Sequence, residues 1–317
     1  MSITTPTADG HPLVKTVETD TAEEFLDALT PHRDPGNFLL RSEAEGWLYR
    51  GQGDAAWKLV PSAHRPNAFH RFDAFHVEPR AFTPAELMHQ EDWWAKEFAS
   101  RVADKGLAVP YDSPELRDRE RAADDYDGMD FPTLRDRGIY ALAQHYGIPT
   151  RLLDWSHNAR VAAYFAAHGA AKQPVTSKRF AVWALSRDFV EKKLLYRNPG
   201  AIVITVPTVS NPNLHAQKGL FTLVRFRQPS LDLPPTLDDL IATAAAEPDA
   251  GQSAKLIKIT APHAVARNVM HYLHLEGWDT SSLHPGHASA VETLCERNLR
   301  ATTAPQNGRR ELPDTPE

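Results

Sequence analysis

The chain has 317 residues, of which 42% are hydrophobic and 24% charged, and its formal net charge is −6. Such a chain can bury a core, and its acidic balance excludes a broad basic face for nucleic acid while allowing a local basic groove. The single cysteine, Cys295, excludes an internal disulfide framework. The sequence has no signal-peptide pattern and no apolar run near the ~18 residues that span a bilayer, so we expect a cytoplasmic protein without membrane contact.

The first half of the chain predicts a helix, a pair of strands and a helical segment. Residues 20–31 combine a cap, acidic residues and apolar spacing, which predicts a helix. Residues 46–65 predict a strand, a Gly-Gln-Gly-Asp turn and a second short strand that includes Trp57 and Leu59. From about residue 66 to 131 we expect a helical insertion that docks outside the core sheet through Trp93 and Trp94.

The second half alternates helices and strands. Residues 131–147 predict a helix with a capping Thr133 and a Gly147 stop, followed by a buried strand over 150–155 and a helix over 156–170. The remaining predicted elements are strands at 179–186, 201–207, within 213–226 and at 254–262, and helices at 263–278 and 287–299. This order predicts one α+β domain with several antiparallel strands over residues 17–297, between frayed segments at 1–16 and 298–317.

Common nucleotide and metal motifs are missing from the sequence. No GxxxxGK[ST] or GxGxxG motif precedes a predicted helix, which excludes kinase and Rossmann proteins. His64, His70 and His76 share no helix face, and no HExxH pattern accompanies His271 and His274. We therefore predict no metal site.

Arg50 is the first candidate functional residue. Alternation in the strand places it on the same face as Leu48 and opposite Trp47 and Tyr49. It can be an ordinary exposed arginine, but Gly51 and Gln52 follow it directly. A glycine beside a guanidinium lets a phosphate or carboxylate approach the backbone.

Residues 141–167, ALAQHYGIPTRLLDWSHNARVAAYFAA, place polar side chains at the junctions of predicted elements. His145 lies at a helix end, where the helix dipole favours a cationic imidazole. Arg151 and Asp154 flank the apolar part of a strand and can pair with each other as a structural ion pair. Trp155 offers an aromatic face, and Ser156 can cap the following helix with its N–H groups free for an anion.

These motifs resemble those of the FRG domain, a family named for a Phe-Arg-Gly motif. The resemblance rests on YRGQ, on Trp57, Leu59, Pro61, Ser62 and Arg65, on AQHYGIPTRLLDWS with AAYFAA, and on AQKGLFT at 216–222. LEGWDTSSLHPG resembles the end of the domain, so the likeness covers about residues 20–295. Tyrosine replaces the phenylalanine of the family motif. FRG domains occur in bacterial and phage proteins, some of them linked to conflict between host and virus.

The resemblance implies a fold and a ligand. The motif order looks like the ADP-ribosyltransferase fold, in which a split mixed or antiparallel sheet holds NAD as substrate. By that analogy Arg50 matches the first-strand position and Asp154 to Ser156 match the second. The late position, usually a glutamate, falls at Gln217. This departure implies weak transfer, the use of Asp154 instead, or no transfer.

Three function classes therefore remain open. The first is an enzyme that transfers ADP-ribose to an unknown macromolecule or hydrolyses NAD, as a toxin or phage-defence protein would. The second is a module that senses a nucleotide or a phage component without chemistry. The third is a protein-binding domain whose polar strand ends are structural. For the enzyme, the predicted catalytic residues are Arg50, His145, Asp154 and Gln217, and the predicted NAD-binding residues are Tyr49, Gly51, Gln52, Arg151, Trp155 and Ser156. We expect these side chains to converge on one cleft.

Overall fold

The computed structural model of the protein describes residues 14–30, 46–72, 83–110, 136–172, 178–208, 211–225, 233–245, 247 and 254–300. Within these residues seven strands form one sheet and ten helices pack around it. The strands are β1 (Val14–Glu18), β2 (Trp47–Gln52), β3 (Leu153–Ser156), β4 (Arg179–Ser186), β5 (Gly200–Ile204), β6 (Gly219–Arg225) and β7 (Leu256–Pro262). The helices are α1 (Ala22–Ala28), α2 (Pro84–Asp104), α3 (Asp136–His145), α4 (Ala159–Lys172), α5 (Arg187–Phe189), α6 (Pro212–Ala216), α7 (Leu237–Ala245), α8 (Ala266–Leu275), α9 (Thr280–Leu283) and α10 (His287–Arg300).

The sheet is mixed and its strand order is β1-β7-β4-β2-β3-β6-β5. β1 and β7 are parallel, and every other neighbouring pair is antiparallel. The predicted α+β class with a mixed sheet is therefore confirmed. β2 and β3 lie at the centre of the sheet, and buried clusters cover both faces of β2 and one face of β3.

Small residues let α4 approach β2 closely on one face of the sheet. A Cβ atom added to Gly51 would lie 2.0 Å from the carbonyl oxygen of Ala162 and 2.6 Å from the nitrogen of Ala166. Gly53 makes a similar approach to Gly169. The glycines of this strand therefore serve helix packing, since any side chain would displace α4.

The opposite face of β2 and β3 packs under α7. Its buried cluster includes Leu48, Leu153, Trp155, Trp183, Leu185, Leu237, Leu240 and Ile241. The apolar positions of β2 therefore divide between the two faces, with Tyr49 in the cluster around α4. Alternation along the strand assigns Arg50 to the Leu48 side.

Helices α2 and α3 form a third layer over β5 and β6. Two adjacent acidic residues of α2 are buried in this layer. Glu91 accepts from the Nε atom of Arg151 at 2.5 Å, and Asp92 accepts from the hydroxyl of Tyr140 at 2.8 Å. The described part of the predicted insertion, residues 66–72 and 83–110, contains helices and no strand. Residues 73–82 and 111–131 lie outside the described residues, as does the predicted cap Thr133.

Three local predictions differ from the structure. β1 is a strand that the sequence analysis did not anticipate, and α7 is a helix that it missed. The second short strand around Trp57 and Leu59 was wrong, because side chains satisfy the backbone there. The N–H of Ala56 donates to Asp54 and that of Leu59 donates to Asp238, at 2.8 and 3.0 Å. No described helix combines the length and apolarity needed to cross a membrane.

Candidate functional site

The sheet opens between its two central strands. β2 pairs with β4 through six residues and β3 pairs with β6 through four, but β2 and β3 share one registered pair, Tyr49 and Ser156. Beyond that pair no further residues of the two strands are registered, and we call this unpaired stretch beside Arg50 and Asp154 the opening. Backbone groups there lack ladder partners, so side chains or a ligand can take the place of ladder hydrogen bonds.

The guanidinium of Arg50 lies in this opening. Its Nη1 atom donates to the backbone carbonyl of Asp154 at 2.8 Å and to the carboxylate at 3.3 Å. The Arg50 side chain is only 13% exposed, whereas that of Asp154 is 61% exposed. The Nε–H group of Arg50 is buried and has no acceptor among the described residues. A buried guanidinium with an unused donor is suited to an additional anionic acceptor.

A chain of hydrogen bonds orients the carboxylate of Asp154. The Nε2 atom of Gln144 donates to Asp154 Oδ1 at 2.5 Å, and the Gln144 Oε1 atom accepts from the hydroxyl of Thr150. Ser62 in turn holds Thr150. The Oγ atom of Ser62 accepts from the N–H of Thr150 and donates to the carbonyl of Thr150. The residues of two separate motifs, PSAHR and AQHYGIPTR, thus fix one carboxylate.

A second arginine lies beside the opening. Arg65 is exposed and donates from Nε and Nη2 to the carbonyl of Val60, at 3.3 and 3.2 Å. Although the residue as a whole is exposed, partial burial of its guanidinium lowers the pKa of Arg65, the charge of Arg50 lowers it further, and the charge of Asp154 raises it. Two arginines that repel each other would be stabilised by an anion between them.

His145 ends α3 next to the same carboxylate. Its Nε2 atom lies 2.8 Å from the Nδ2 atom of Asn213 on α6. Because an amide nitrogen only donates, this contact makes His145 Nε2 the acceptor and places the ring proton on Nδ1. Burial lowers the pKa of His145, and the charge of Asp154 opposes this shift. The lowered pKa favours the neutral imidazole, against the expectation that the helix dipole favours a cationic ring.

Gln217 lies beside His284, the residue that follows α9. Its Nε2 atom donates to the carbonyl of Leu283 at 3.2 Å and lies 3.5 Å from His284 Nδ1. Burial lowers the pKa of His284, and so does the charge of His145. The described residues thus connect Arg50, Asp154 and His145 closely, and link Gln217 to them through His284. Gln217 presents an amide and not a carboxylate.

The structure buries the aromatic face that the sequence analysis assigned to Trp155. Trp155 is 3% exposed and belongs to the cluster under α7. Its Nε1 atom donates to the hydroxyl of Thr222 at 2.8 Å. The side chains of β3 alternate, and the sequence could not show that the face of Trp155 is covered by a helix.

The three residues beside Arg50 on β2 also have structural contacts. Tyr49 is 6% exposed, and burial raises its pKa to about 12. Gly51 packs against the backbone of α4. Gln52 accepts from the indole of Trp183 at 2.7 Å and donates to the carbonyl of Lys58 at 3.2 Å. All three therefore have structural contacts, and their assignment as NAD-binding residues stays a prediction.

Arg151 and Ser156 were predicted as ligand contacts as well. Arg151 is 4% exposed and is held by Glu91 of α2, so the predicted pairing with Asp154 is replaced by a buried ion pair with α2. Ser156 is the last residue of β3, three residues before α4 begins. Its hydroxyl donates to the carbonyl of Gln217 at 2.7 Å and accepts from the N–H of Asn158 at 2.9 Å. It closes a turn and does not cap α4.

The sequence analysis missed four residues around the opening: Arg65, Gln144, Asn213 and His284. Arg65 and Gln144 occur inside the quoted motifs, so their position in those motifs was an available signal. Asn213 and His284 had no such signal, because only tertiary packing brings α6 and the end of α9 to His145. In the part of the chain that the structure describes, no three histidine, cysteine or acidic side chains are arranged to hold a metal ion.

The comparisons identify the family of the central segment. Residues 45–174 match the family model of the FRG domain. The segment from β2 to α4, which supplies Arg50, Gln144, His145 and Asp154, is therefore similar to the FRG domain. The match is shorter than the predicted domain over residues 17–297. No curated protein and no solved structure matches the chain.

Proposed function

We propose that the opening between β2 and β3 binds NAD and that the protein cleaves it, passing ADP-ribose to a macromolecular acceptor or to water. One observation carries the proposal. The buried guanidinium of Arg50 occupies a gap in the sheet with an unused Nε–H group, beside an exposed and oriented carboxylate on Asp154. The analogy with the ADP-ribosyltransferase fold, drawn from the sequence motifs, is the reason for proposing NAD rather than another dinucleotide.

The two arginines would hold the diphosphate. Arg50 offers the Nε side of its fork, and Arg65 contributes a second positive charge whose repulsion with Arg50 an anion relieves. Arginine binds phosphate through two parallel donors, so a diphosphate between these side chains would be fixed in orientation as well as attracted.

Asp154 would act on the ribose. Cleavage breaks the bond between C1′ and the nicotinamide nitrogen, the electron pair leaves with nicotinamide, and positive charge develops on the ribose. The Asp154 carboxylate, oriented by Gln144, would stabilise that charge. The acceptor oxygen then bonds to C1′ and its proton passes to Asp154, so that nicotinamide, an ADP-ribosyl product and one proton are released.

His145 would contribute as a neutral donor. With Nε2 accepting from Asn213, the imidazole presents its Nδ1–H group rather than a basic nitrogen. This arrangement suits a hydrogen bond to a ligand oxygen and does not suit proton abstraction. The proton-accepting role therefore falls to Asp154.

A second candidate function is nucleotide sensing without chemistry. Gln217, at the late position, offers an amide that is engaged by Leu283 and His284, and the Asp154 carboxylate already contacts Arg50. A site of this kind can bind a dinucleotide and leave the glycosidic bond intact.

The test measures NAD binding by calorimetry and nicotinamide release by chromatography with mass spectrometry, on the same purified protein. Binding with release supports the enzyme, and binding without release supports the sensing module. Absence of both at millimolar NAD would show that the opening is not an NAD site.

A further inference from the structure

Tyr146 presents an aromatic ring to solvent beside His145. It follows α3 directly and is 64% exposed. Its ring centroid lies 5.1 Å from that of His145, edge to face, and 5.6 Å from that of Phe98 on α2, at an interplanar angle of 34°. The ring is therefore held in place by two neighbours while much of it stays accessible.

The backbone after Tyr146 is also fixed. The N–H of Tyr146 donates to the carbonyl of Leu142 at 3.2 Å, so the residue continues the last turn of α3. Gly147 follows with φ of 86°, a left-handed conformation that ends the helix, and its carbonyl accepts from Arg71. An exposed ring on a fixed backbone is pre-organised for stacking, because little freedom remains to be lost on binding.

The end of α3 connects Tyr146 to Asp154 through its neighbours. Gln144 donates to the Asp154 carboxylate, His145 contacts Asn213 and feels the charge of Asp154, and the Tyr146 ring packs on the ring of His145. Tyr146 is therefore linked to the Arg50–Asp154 opening through His145. Leu107 and Trp57 are also exposed, but among the described residues no ring contact ties either of them to His145.

We infer that Tyr146 stacks on a planar heteroaromatic ring of the nucleotide bound in the Arg50–Asp154 opening, an inference that rests on the proposed function. The chemistry is that of a phenol face against a base, which is tolerant of base identity. NAD carries two such rings, nicotinamide and adenine. The buried Trp155 is unable to supply this contact.

The test compares wild-type protein with Tyr146→Ala, Tyr146→Phe and the control Tyr196→Ala, in which an 86% exposed tyrosine outside the site is removed. Calorimetry measures the dissociation constants of NAD, ADP-ribose, nicotinamide mononucleotide and ribose 5-phosphate. We expect Tyr146→Ala to weaken NAD binding roughly 5- to 150-fold, the range for base–aromatic stacking. The dissociation constants of NAD for Tyr146→Phe and Tyr196→Ala should stay within about twofold of the wild-type value, because each variant retains an aromatic ring at position 146.

The four ligands distinguish stacking on adenine from stacking on nicotinamide, and they distinguish failure of the stacking inference from failure of the proposed function. If Tyr146→Ala weakens the binding of ADP-ribose but not of nicotinamide mononucleotide, the stacked ring is adenine. If it weakens the binding of nicotinamide mononucleotide but not of ADP-ribose, the stacked ring is nicotinamide. Both results support the inference. Unchanged NAD affinity in Tyr146→Ala overturns it, and so does an equal loss for ribose 5-phosphate, which has no aromatic ring. If wild-type protein binds no NAD, the proposed function fails and the inference fails with it.

Discussion

The guanidinium of Arg50 donates to both the backbone carbonyl and the carboxylate of Asp154, a residue 104 positions further along the chain. This contact joins β2 and β3 beyond the point where their ladder ends. It leaves the Nε–H group of Arg50 without an acceptor among the described residues. The same side chain can therefore hold the sheet together and contact a ligand, and variants must separate those two roles.

Arg50→Lys should weaken NAD binding about 10- to 150-fold, which corresponds to losing one charge-assisted hydrogen bond of about 1.5–3 kcal/mol. An ammonium keeps the charge but lacks the planar fork of donors. Calorimetry with NAD measures the loss. Arg101→Lys is the control, because the Arg101 side chain is 77% exposed on α2 and pairs with Glu97. If the lysine variant at position 50 binds NAD as wild type does, Arg50 is not the phosphate clamp.

Asp154→Asn should lower the rate of nicotinamide release by about 100-fold or more while NAD affinity changes little. An amide has the shape of the carboxylate but does not stabilise a cationic ribose. Asp20→Asn, at a side chain 82% exposed and paired with Arg179, controls for a general loss of charge. Wild-type turnover in Asp154→Asn would remove the carboxylate from the mechanism.

Gly51→Ala should destabilise the fold by about 1–3 kcal/mol or more, because the added methyl group collides with the backbone of α4. Gly286→Ala is the matched control, since a Cβ there meets no atom within 4 Å. Urea unfolding of both variants measures the difference. A Gly51→Ala protein as stable as Gly286→Ala would show that α4 does not pack as closely on β2 as described.

Trp155→Phe should cost about 1–3 kcal/mol of stability, because it leaves the Thr222 hydroxyl without its indole donor. NAD affinity should remain at the wild-type value, because the ring is buried in the cluster under α7 and not exposed to a ligand. Trp93→Phe, at a residue 42% exposed on α2, should be nearly neutral for stability. A selective loss of NAD affinity in Trp155→Phe would restore the stacking role that the structure removes.

The buried carboxylate of Glu296 should make stability depend on pH. Burial raises its pKa, but hydrogen bonds from His168, Thr280 and Tyr164 outweigh that effect and lower the pKa to about 2. Because the folded value lies below the ordinary 4.5, the stabilisation is complete above about pH 4.5 and is lost as the pH falls toward 2. The stability gap between wild type and Glu296→Gln should therefore shrink over that range. A gap that stays constant from pH 6 to pH 3 would contradict this account.

Periodicity and motif spacing predicted the elements whose pattern is local. The helix around Phe25 and Leu26, the helix over 156–170 and the strands β4 and β7 follow from apolar spacing in the sequence. β1 could not be predicted, because its strand conformation depends on parallel pairing with β7, more than 200 residues away. The region of Trp57 was predicted as a strand because the side chains that satisfy its backbone include Asp238, from a distant helix.

The residues of the candidate site also divide into those that the sequence could predict and those that it could not. The sequence marked Arg50 and Asp154 through their placement at the ends of strands, and the structure places them in contact. It did not distinguish them from Gly51, Trp155 and Arg151, because the two faces of a central strand look alike until the covering helices are known. Burial and the partner of each side chain, not residue type, separate the exposed polar positions from the structural ones.

The most direct test of the account is a crystal structure of the protein soaked with NAD at saturating concentration. The account predicts density for the dinucleotide in the opening between β2 and β3, with a phosphate oxygen within hydrogen-bond distance of the Arg50 guanidinium and the nicotinamide ribose facing the Asp154 carboxylate. Dinucleotide bound elsewhere on the protein, or an opening that stays closed by the Arg50–Asp154 contact in the presence of saturating NAD, would contradict it.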